Sequence, residues 1–385
     1  MDARLLWLAL GAFAGSVESS LVVLVMPDVA AEMGISLSEA GLLIFTYSIA
    51  YGIGTPILAT VLGHVDRRTV VAGAEFVFGT MAVLFGLLPG YLLMLGARTV
   101  LACGAGLFTS TAQSTAVALA APGKRGSAIS TVVMGGSIAV ALGAPLASLV
   151  ANSLGWRVAY VGLGVIAILA AVTMWLRLPG DIHGDARSLR ERLSVLKVRG
   201  VPTTLLTSGL LIMGTFIFFN FLAAITTDFL GIDRSLMPVV MLAFGCGAML
   251  GGHFGGWLAD RFGGKQTTLI IIGLMIVLLA GLPLLALLPD PVVAPAFFGF
   301  MAVYGVLSWG FMPPQLHRLA GLSAKSVQLS AALNLTAMNL GGALSAVIGG
   351  VVLDLWGLAW LAPVGALAAV LALVTAWIAP AGSDH

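Results

Sequence analysis

Three ionisable residues, Glu18, Glu75 and Arg98, lie inside long stretches of apolar sequence. A charged side chain in such surroundings costs roughly 2.5–3.5 kcal/mol on membrane-insertion scales, so each of them requires a reason. Burial favours the neutral form of a carboxyl group and a nearby cation favours the charged form, so a change in surroundings can switch its protonation. The chemistry these residues indicate is therefore the binding and release of a proton.

Glu18 and Arg98 are expected to act together. If their stretches are membrane-spanning helices, both lie about seven or eight residues from the same surface, roughly 10–12 Å deep. We expect Glu18 to carry a proton and to be a possible ligand for a cationic or polyol substrate, with Arg98 tuning it. The alternative is a static buried ion pair that joins two helices. Glu75 lies about two turns from the opposite surface, where we expect a structural role, snorkelling to that surface or pairing with a loop arginine.

The composition is that of an integral membrane protein. Of the 385 residues, 59% are hydrophobic and 9% are charged, whereas a soluble domain has about 25% charged residues. The mean hydropathy is +1.08. At roughly 20 residues per span, the chain has room for about twelve transmembrane helices and little else. The sequence therefore predicts an all-α integral membrane protein with twelve transmembrane helices in two pseudo-symmetric six-helix bundles. The predicted spans are 5–26, 40–62, 69–89, 91–118, 127–152, 156–177, 202–226, 236–258, 267–288, 292–316, 327–353 and 357–379.

The distribution of basic residues predicts the orientation. With a cytoplasmic N-terminus, 15 of the 18 Lys and Arg residues fall on the inside, and only Arg157 and Arg234 fall outside. This bias follows the positive-inside rule. It predicts a multi-pass protein of the inner (cytoplasmic) membrane with both termini in the cytoplasm. In the charged segment 178–200, the stretch Ser188–Val198 either lies on the anionic inner surface or is part of a solvated linker.

The two halves of the sequence resemble each other. The turn Ala59–Arg68 aligns with Gly256–Lys265, and Leu142–Leu146 aligns with Leu340–Leu344. Related halves are what a transporter needs if one half rocks against the other around a substrate site near the bilayer midplane. The expected domains are an N-terminal bundle over 1–177, a cytoplasmic linker over 178–200 and a C-terminal bundle over 201–385.

The turn Gly256–Lys265 resembles a family signature. Its sequence GWLADRFGGK is similar to the pattern G-x-L-a-D-r-x-G-r-k of the major facilitator superfamily. The first-half turn departs from this pattern, since Gly63 stands at the aspartate position and Asp66 at a glycine position. The resemblance implies that such turns control conformation. Together with the motif on the fifth predicted helix, the residues concerned are Asp66, Arg67, Arg68, Gly143, Pro145, Gly256, Asp260, Arg261, Gly263 and Lys265.

Further motifs resemble the bacterial twelve-helix drug:proton antiporter branch of that superfamily. Gly143–Ala147 is similar to its helix-5 antiporter motif, and Arg98 with the glycines that follow resembles its helix-4 motif. Glu18 followed by Met26–Ala30 resembles the start of sugar-efflux and chloramphenicol-resistance permeases. The helix-5 motif correlates with exchange, but ordinary packing of small residues, with a kink at Pro145, explains it equally well.

The resemblance implies proton-coupled efflux of a drug-like molecule, sugar or other metabolite by alternating access. We expect the proton gradient as the energy source, no cofactor, no metal, and a functional monomer whose partners are substrate, protons and the bilayer, not nucleic acid. An uptake symporter or uniporter remains an alternative, as does a non-transport sensor or scaffold. Enzymatic activity is not expected, because the sequence has no HExxH, GxSxG or clustered intramembrane aspartates.

The family's substrate cavity is lined mainly by helices 1, 4, 7 and 10. A largely apolar pocket with few polar groups suits moderately hydrophobic or polyol substrates. The asparagines are the stronger candidates, because a buried amide is costly without a partner. Each aromatic residue could equally be ordinary helix packing. The candidate cavity residues are Tyr47, Phe216, Asn220, Tyr304, Asn334 and Asn339.

Overall fold

The computed structural model describes residues 3–121, 124–180, 193–323 and 326–380. These residues are almost entirely helical and contain twelve helices long and apolar enough to cross a membrane. The prediction of an all-α protein with twelve transmembrane helices is therefore confirmed. The helices, α1 to α12 in order, are Arg4–Met33, Leu37–Val61, Arg67–Leu87, Tyr91–Leu119, Gly126–Leu154, Trp156–Arg177, Val201–Phe219, Arg234–Phe262, Gly264–Leu285, Val293–Leu322, Leu329–Trp356 and Leu358–Ile378.

Two of these helices contain a π-helical turn. The turn Ala50–Gly54 in α2 comes just before Pro56, and the turn Ala139–Gly143 in α5 comes just before Pro145. Proline has no N–H group and cannot complete the regular α-helical ladder. A single wide turn is a common way for a helix to absorb such an interruption. Both helices therefore depart from regular geometry near their middle.

Several helix ends differ from the predicted bounds, among them the end of α1, which lies at Met33 rather than at residue 26. Helix α2 starts earlier because Ser36 and Glu39 form a capping box, in which Ser36 N donates to Glu39 Oε2 at 2.7 Å. Helix α7 ends at Phe219, and a turn separates it from the short helix Leu222–Ala224. Helix α10 continues through the amphipathic segment Met312–Leu322, which is too polar to be recognised from hydropathy alone.

The chain forms two compact units. Unit 1 consists of Met1–Val25 and Thr46–Leu189, and unit 2 of Met26–Phe45 and Arg190–His385. The predicted domain bounds, 1–177 and 201–385 with a linker between them, stay a prediction. Of the predicted linker 178–200, positions 181–192 lie outside the described residues, as do 381–385 at the C-terminus.

Close backbone contacts hold the helices of unit 1 together. A Cβ atom on Gly79 of α3 would lie 2.8 Å from the carbonyl oxygen of Gly164 on α6, and the reverse distance is 2.6 Å. Likewise, a Cβ on Gly135 of α5 would lie 2.0 Å from the carbonyl oxygen of Ala9 on α1. Small residues permit this approach, which increases van der Waals contact between helices in a bilayer.

Unit 2 contains a glycine stripe along α8. Cβ atoms on Gly247, Gly251 and Gly255 would lie 2.0, 2.3 and 2.1 Å from carbonyl oxygens of α10. The spacing of four residues places the three glycines on one face of the helix. This face therefore holds α8 and α10 in backbone contact.

Candidate functional site

Glu18 and Arg98 form a buried ion pair in unit 1. Arg98 on α4 donates a hydrogen bond from Nη1 to Oε1 of Glu18 on α1. The two side chains are only 1% and 0% exposed. The two residues that were expected at one depth are therefore in direct contact.

Tyr160 of α6 completes this cluster. Its hydroxyl donates to Glu18 Oε1 at 3.1 Å and accepts from Arg98 Nη1 at 3.2 Å. Tyr160 is fully buried. Tyr160 was not among the site residues predicted from the sequence. Its position one turn into α6, on the side of the bilayer where α4 begins, is the signal that could have revealed it.

Aromatic rings surround the guanidinium of Arg98. Its Cζ lies 4.8 Å from the ring centroid of Tyr47 on α2 and 5.8 Å from that of Phe85 on α3. The Phe85 ring in turn packs 4.4 Å from the ring of Tyr160. Ring faces stabilise a cation in poorly hydrated surroundings. Tyr47, a candidate cavity residue, is half-buried and its ring packs against the Arg98 guanidinium.

The α5 motif packs beside the ion pair. A Cβ on Gly143 would lie 2.4 Å from Val17 Cγ2 and 3.0 Å from the ring of Phe13. Val17 directly precedes Glu18, so the missing side chain at position 143 lets α5 approach α1 next to the carboxylate. Pro145 follows the π-helical turn of the same helix. The packing interpretation of this motif has a clear structural basis.

The ion pair brings two buried charges together. Both side chains are buried, and removal of one partner from such a pair leaves an uncompensated charge. Oε2 of Glu18 is buried and has no hydrogen-bond partner among the described residues. The pair therefore joins α1 to α4 through two buried charges that compensate each other.

Glu75 is not placed as predicted. It is 1% exposed and therefore does not snorkel to a surface. Within the described ranges it forms no ion pair with an arginine, and its Oε1 is buried without a hydrogen-bond partner. The prediction was wrong because depth along a helix does not reveal which neighbouring helices cover a side chain.

The three candidate asparagines belong to unit 2. Asn220 donates from Nδ2 to Ser345 Oγ at 2.9 Å, and Asn339 donates to a backbone carbonyl of its own helix at 2.9 Å. Asn334 contacts Met338 Sδ at 3.6 Å. The carbonyl oxygens of Asn220 and Asn334 are buried and lack a partner among the described residues. These two amides therefore have unused hydrogen-bonding capacity.

The candidate aromatic residues of unit 2 take part in helix packing. Tyr304 is 1% exposed, stacks on Phe219 at 5.9 Å and donates its hydroxyl to the Thr215 carbonyl at 3.1 Å. Phe216 is half-buried and lies 5.6 Å from Phe219. Tyr304 thus packs in the core of unit 2, and its hydroxyl is already hydrogen-bonded to the Thr215 carbonyl.

The turn before α3 ties helices of unit 1 together. Arg67 Nη1 donates to the Ser114 carbonyl on α4 at 2.7 Å. The Arg68 guanidinium lies 5.0 Å from the Trp175 ring on α6. Asp66 stands at the N-terminus of α3 and accepts a long hydrogen bond of 3.5 Å from Thr69. The two arginines therefore connect α3 to α4 and to α6.

The corresponding turn of unit 2 makes different contacts. Gly263 joins α8 to α9 with a φ of 79°, a conformation that favours glycine. Lys265 donates from Nζ to the Trp377 and Ala379 carbonyls at 2.8 and 2.7 Å, which ties α9 to the end of α12. Asp260 and Arg261 are exposed. Other contacts of this turn are the Arg261 guanidinium at 5.5 Å from the Trp257 ring, and Gly256, where a Cβ would lie 3.9 Å from Pro313.

The amino-acid sequence matches the sequence model of a known protein family. The sequence model of the family described as Major Facilitator Superfamily matches residues 8–345. The chain belongs to the major facilitator superfamily. It is accordingly a multi-pass membrane transporter of small solutes, which confirms the family predicted from the sequence.

Individual proteins of this superfamily are similar over nearly the whole chain. "Uncharacterized MFS-type transporter YbcL" of Bacillus subtilis (strain 168) is 30% identical over 95% of this chain and 93% of that protein. "Chloramphenicol resistance protein" of Streptomyces lividans is 28% identical over 86% of this chain and 83% of that protein. The crystal structure of a bacterial homologue of the human lysosomal transporter Spinster, inward-facing and unoccupied, superposes with a TM-score of 0.72. It shares 17% identity and covers 98% of this chain and 94% of that one, which shows the common fold.

Proposed function

We propose that this superfamily member is a proton-coupled exporter of a small molecule that works by alternating access. The observation that carries the proposal is the buried Glu18–Arg98 pair with its free carboxylate oxygen. The similarity to a chloramphenicol resistance protein and the helix-5 motif support export rather than uptake. The bacterial relatives and the positive-inside charge bias support the cytoplasmic membrane, with both termini inside, as the location.

In this proposal a proton and the substrate compete for the same carboxylate. Deprotonated Glu18 holds Arg98 and can accept a cationic or hydroxyl group of a substrate at Oε2. Protonated Glu18 releases both. Each pH unit of gradient supplies about 1.4 kcal/mol per proton to drive this exchange. The transporter needs the proton gradient and no cofactor, and we expect a monomer to suffice.

Solute flux into proteoliposomes distinguishes export from the alternatives. Labelled chloramphenicol is the first probe, followed by antibiotics, sugars, amino acids and nucleosides selected by ligand-induced thermal stabilisation. An exchanger accumulates the solute in vesicles with an acidic lumen, whereas a symporter accumulates it when the outside is acidic. Flux that ignores the pH gradient would indicate a uniporter. Absence of flux for every solute would contradict the proposed export of these solute classes.

Glu18→Gln tests the role of the carboxylate in the same assay. We expect this variant to retain exchange of solute at equal pH but to lose accumulation driven by the gradient. Glu32→Gln, which changes an exposed carboxyl group at the end of α1, is the matched control and should accumulate solute like the wild type. Accumulation by the Glu18 variant at the wild-type level would show that the pair is a static structural element.

A further inference from the structure

Glu75 of α3 is a second buried carboxyl group in unit 1. Its side chain is 1% exposed, and its Oε1 has no hydrogen-bond partner among the described residues. Two residues beside it, Gly11 and Phe108, are apolar. A Cβ on Gly11 of α1 would lie 3.1 Å from Glu75 Cδ and 2.4 Å from the ring of Phe108 on α4. Phe108 belongs to a cluster of buried apolar residues that includes Leu8 and Val71.

Packing alone does not account for an acid at this position. A carboxyl group is costly to bury, and the cost falls when hydrogen bonds or a cation compensate it. An apolar side chain of similar length would make the same contacts without that cost. An unpaired ionisable residue inside a membrane helix is by default a functional candidate.

Among the described residues, no charged side chain is paired with Glu75. The neighbouring helices carry several titratable or charged residues. These are Arg4 and Glu18 on α1, Cys103 and Arg98 on α4, Tyr51 on α2 and Arg177 on α6. In the part of the chain that the structure describes, none of them forms an ion pair or a hydrogen bond with Glu75. Within the described residues, a bound proton is therefore what can neutralise the Glu75 carboxylate.

The two buried carboxyl groups of unit 1 lie at different depths along α1. Glu18 is seven residues beyond Gly11, the point of contact with Glu75, which corresponds to about 10 Å along the helix axis. Glu75 is eight residues from the start of α3 at Arg67, about 12 Å from the predicted cytoplasmic surface. Glu18 is thus placed towards the outer side and Glu75 towards the inner side of the same bundle.

We propose that Glu75 is a second proton-binding site, which exchanges its proton with the cytoplasm when α1 moves away at Gly11. Proton binding converts its carboxylate to the neutral acid, and release restores the carboxylate. Because α1 carries Glu18 and covers Glu75, one movement of that helix changes the surroundings of both groups. This inference rests on the proposed proton coupling and adds to it a separate inner proton site.

Infrared difference spectroscopy tests proton binding without a transport substrate. The full-length protein in nanodiscs is stepped between acidic and alkaline pH, and the C=O band of protonated carboxyl groups is recorded. We expect one titrating component of this band to be missing from Glu75→Gln and to remain in Glu18→Gln and in the exposed control Glu32→Gln. A band that is unchanged in Glu75→Gln, or that does not titrate in the wild type, would overturn the proposal.

Proton movement in proteoliposomes then tests coupling. We expect Glu75→Gln to lose solute-induced proton movement while retaining solute exchange at equal pH. Coupled proton movement at the wild-type level in this variant would show that Glu75 is a neutral structural acid. If the wild type itself moves no protons, the proposed function fails, whereas the infrared titration still decides whether Glu75 binds a proton.

A further measurement uses the wild type, so its result does not depend on whether the Glu75→Gln variant folds. Dicyclohexylcarbodiimide labels protonated carboxyl groups in apolar surroundings, and mass spectrometry locates the label. We expect labelling at Glu75 that decreases as the pH rises. Labelling that is absent at every pH would contradict the proposal.

Discussion

An alanine in place of Gly143 is expected to push α5 away from α1 beside the ion pair. The added carbon would lie 2.4 Å from Val17 Cγ2, whereas ordinary contact begins at 3.4 Å. The β-branched Val17 is confined to essentially one rotamer in a helix, so it cannot turn away cheaply. The helices must separate locally by about 1 Å, and overpacking of this kind costs about 1–3 kcal/mol. That cost corresponds to a change of about 5- to 150-fold in an equilibrium constant.

Thermal unfolding and gradient-driven uptake measure this effect. Purified variants are unfolded in one detergent with tryptophan fluorescence as the signal, and the same preparations are reconstituted for solute accumulation. We expect Gly143→Ala to unfold at a lower temperature than the wild type and to accumulate solute more slowly. Gly136→Ala is the matched control on the same helix, because its nearest neighbour is the rotatable Ser16 hydroxyl at 3.1 Å.

Two results would refute this reasoning in different ways. If Gly143→Ala is as stable as Gly136→Ala and transports normally, α5 does not press on α1 as the distances indicate. If Gly143→Ala is stable but has lost exchange, the motif has a functional role that packing does not explain.

Three further predictions follow from individual contacts. Tyr160→Phe removes a donor to the buried carboxylate, worth about 1.5–3 kcal/mol for a charged group. Losing it should lower the thermal unfolding temperature, because the buried carboxylate loses a hydrogen bond, and an unchanged unfolding temperature would contradict this. Gly251→Val should destabilise unit 2 in thermal unfolding because its backbone contact is 2.3 Å, whereas Gly252→Ala, with open space, should not. Asp28→Asn breaks a pair with Arg234 whose side chains are 25% and 44% exposed. It should change stability by less than about 1 kcal/mol, with an effect that disappears at high salt, and a larger loss would show that the pair is not screened.

The sequence predicted the helices well because bilayer-spanning segments need long apolar runs. The predicted span 156–177 matches Trp156–Arg177 of α6, and 91–118 differs from Tyr91–Leu119 by one residue. Errors arose where local chemistry overrides hydropathy, as at the Ser36 capping box and in the amphipathic end of α10.

The candidate site was only partly predictable. Depth along a helix indicated that Glu18 and Arg98 share a level, since rise per residue is constant. It could not show that Tyr160 bridges them, because side-chain direction depends on how α6 packs. For the same reason, depth along a helix could not show that α1 covers Glu75 at Gly11.

The most direct test of proton-coupled export is the proton movement that substrate causes in proteoliposomes. A pH-sensitive dye in the lumen reports the internal pH when a solute that the wild type transports is added outside. Proton exchange through Glu18 predicts that solute entry expels protons, so the lumen becomes alkaline with the wild type and stays unchanged with Glu18→Gln. An equal pH change in both proteins would contradict the role of Glu18, and acidification of the lumen would contradict export by exchange.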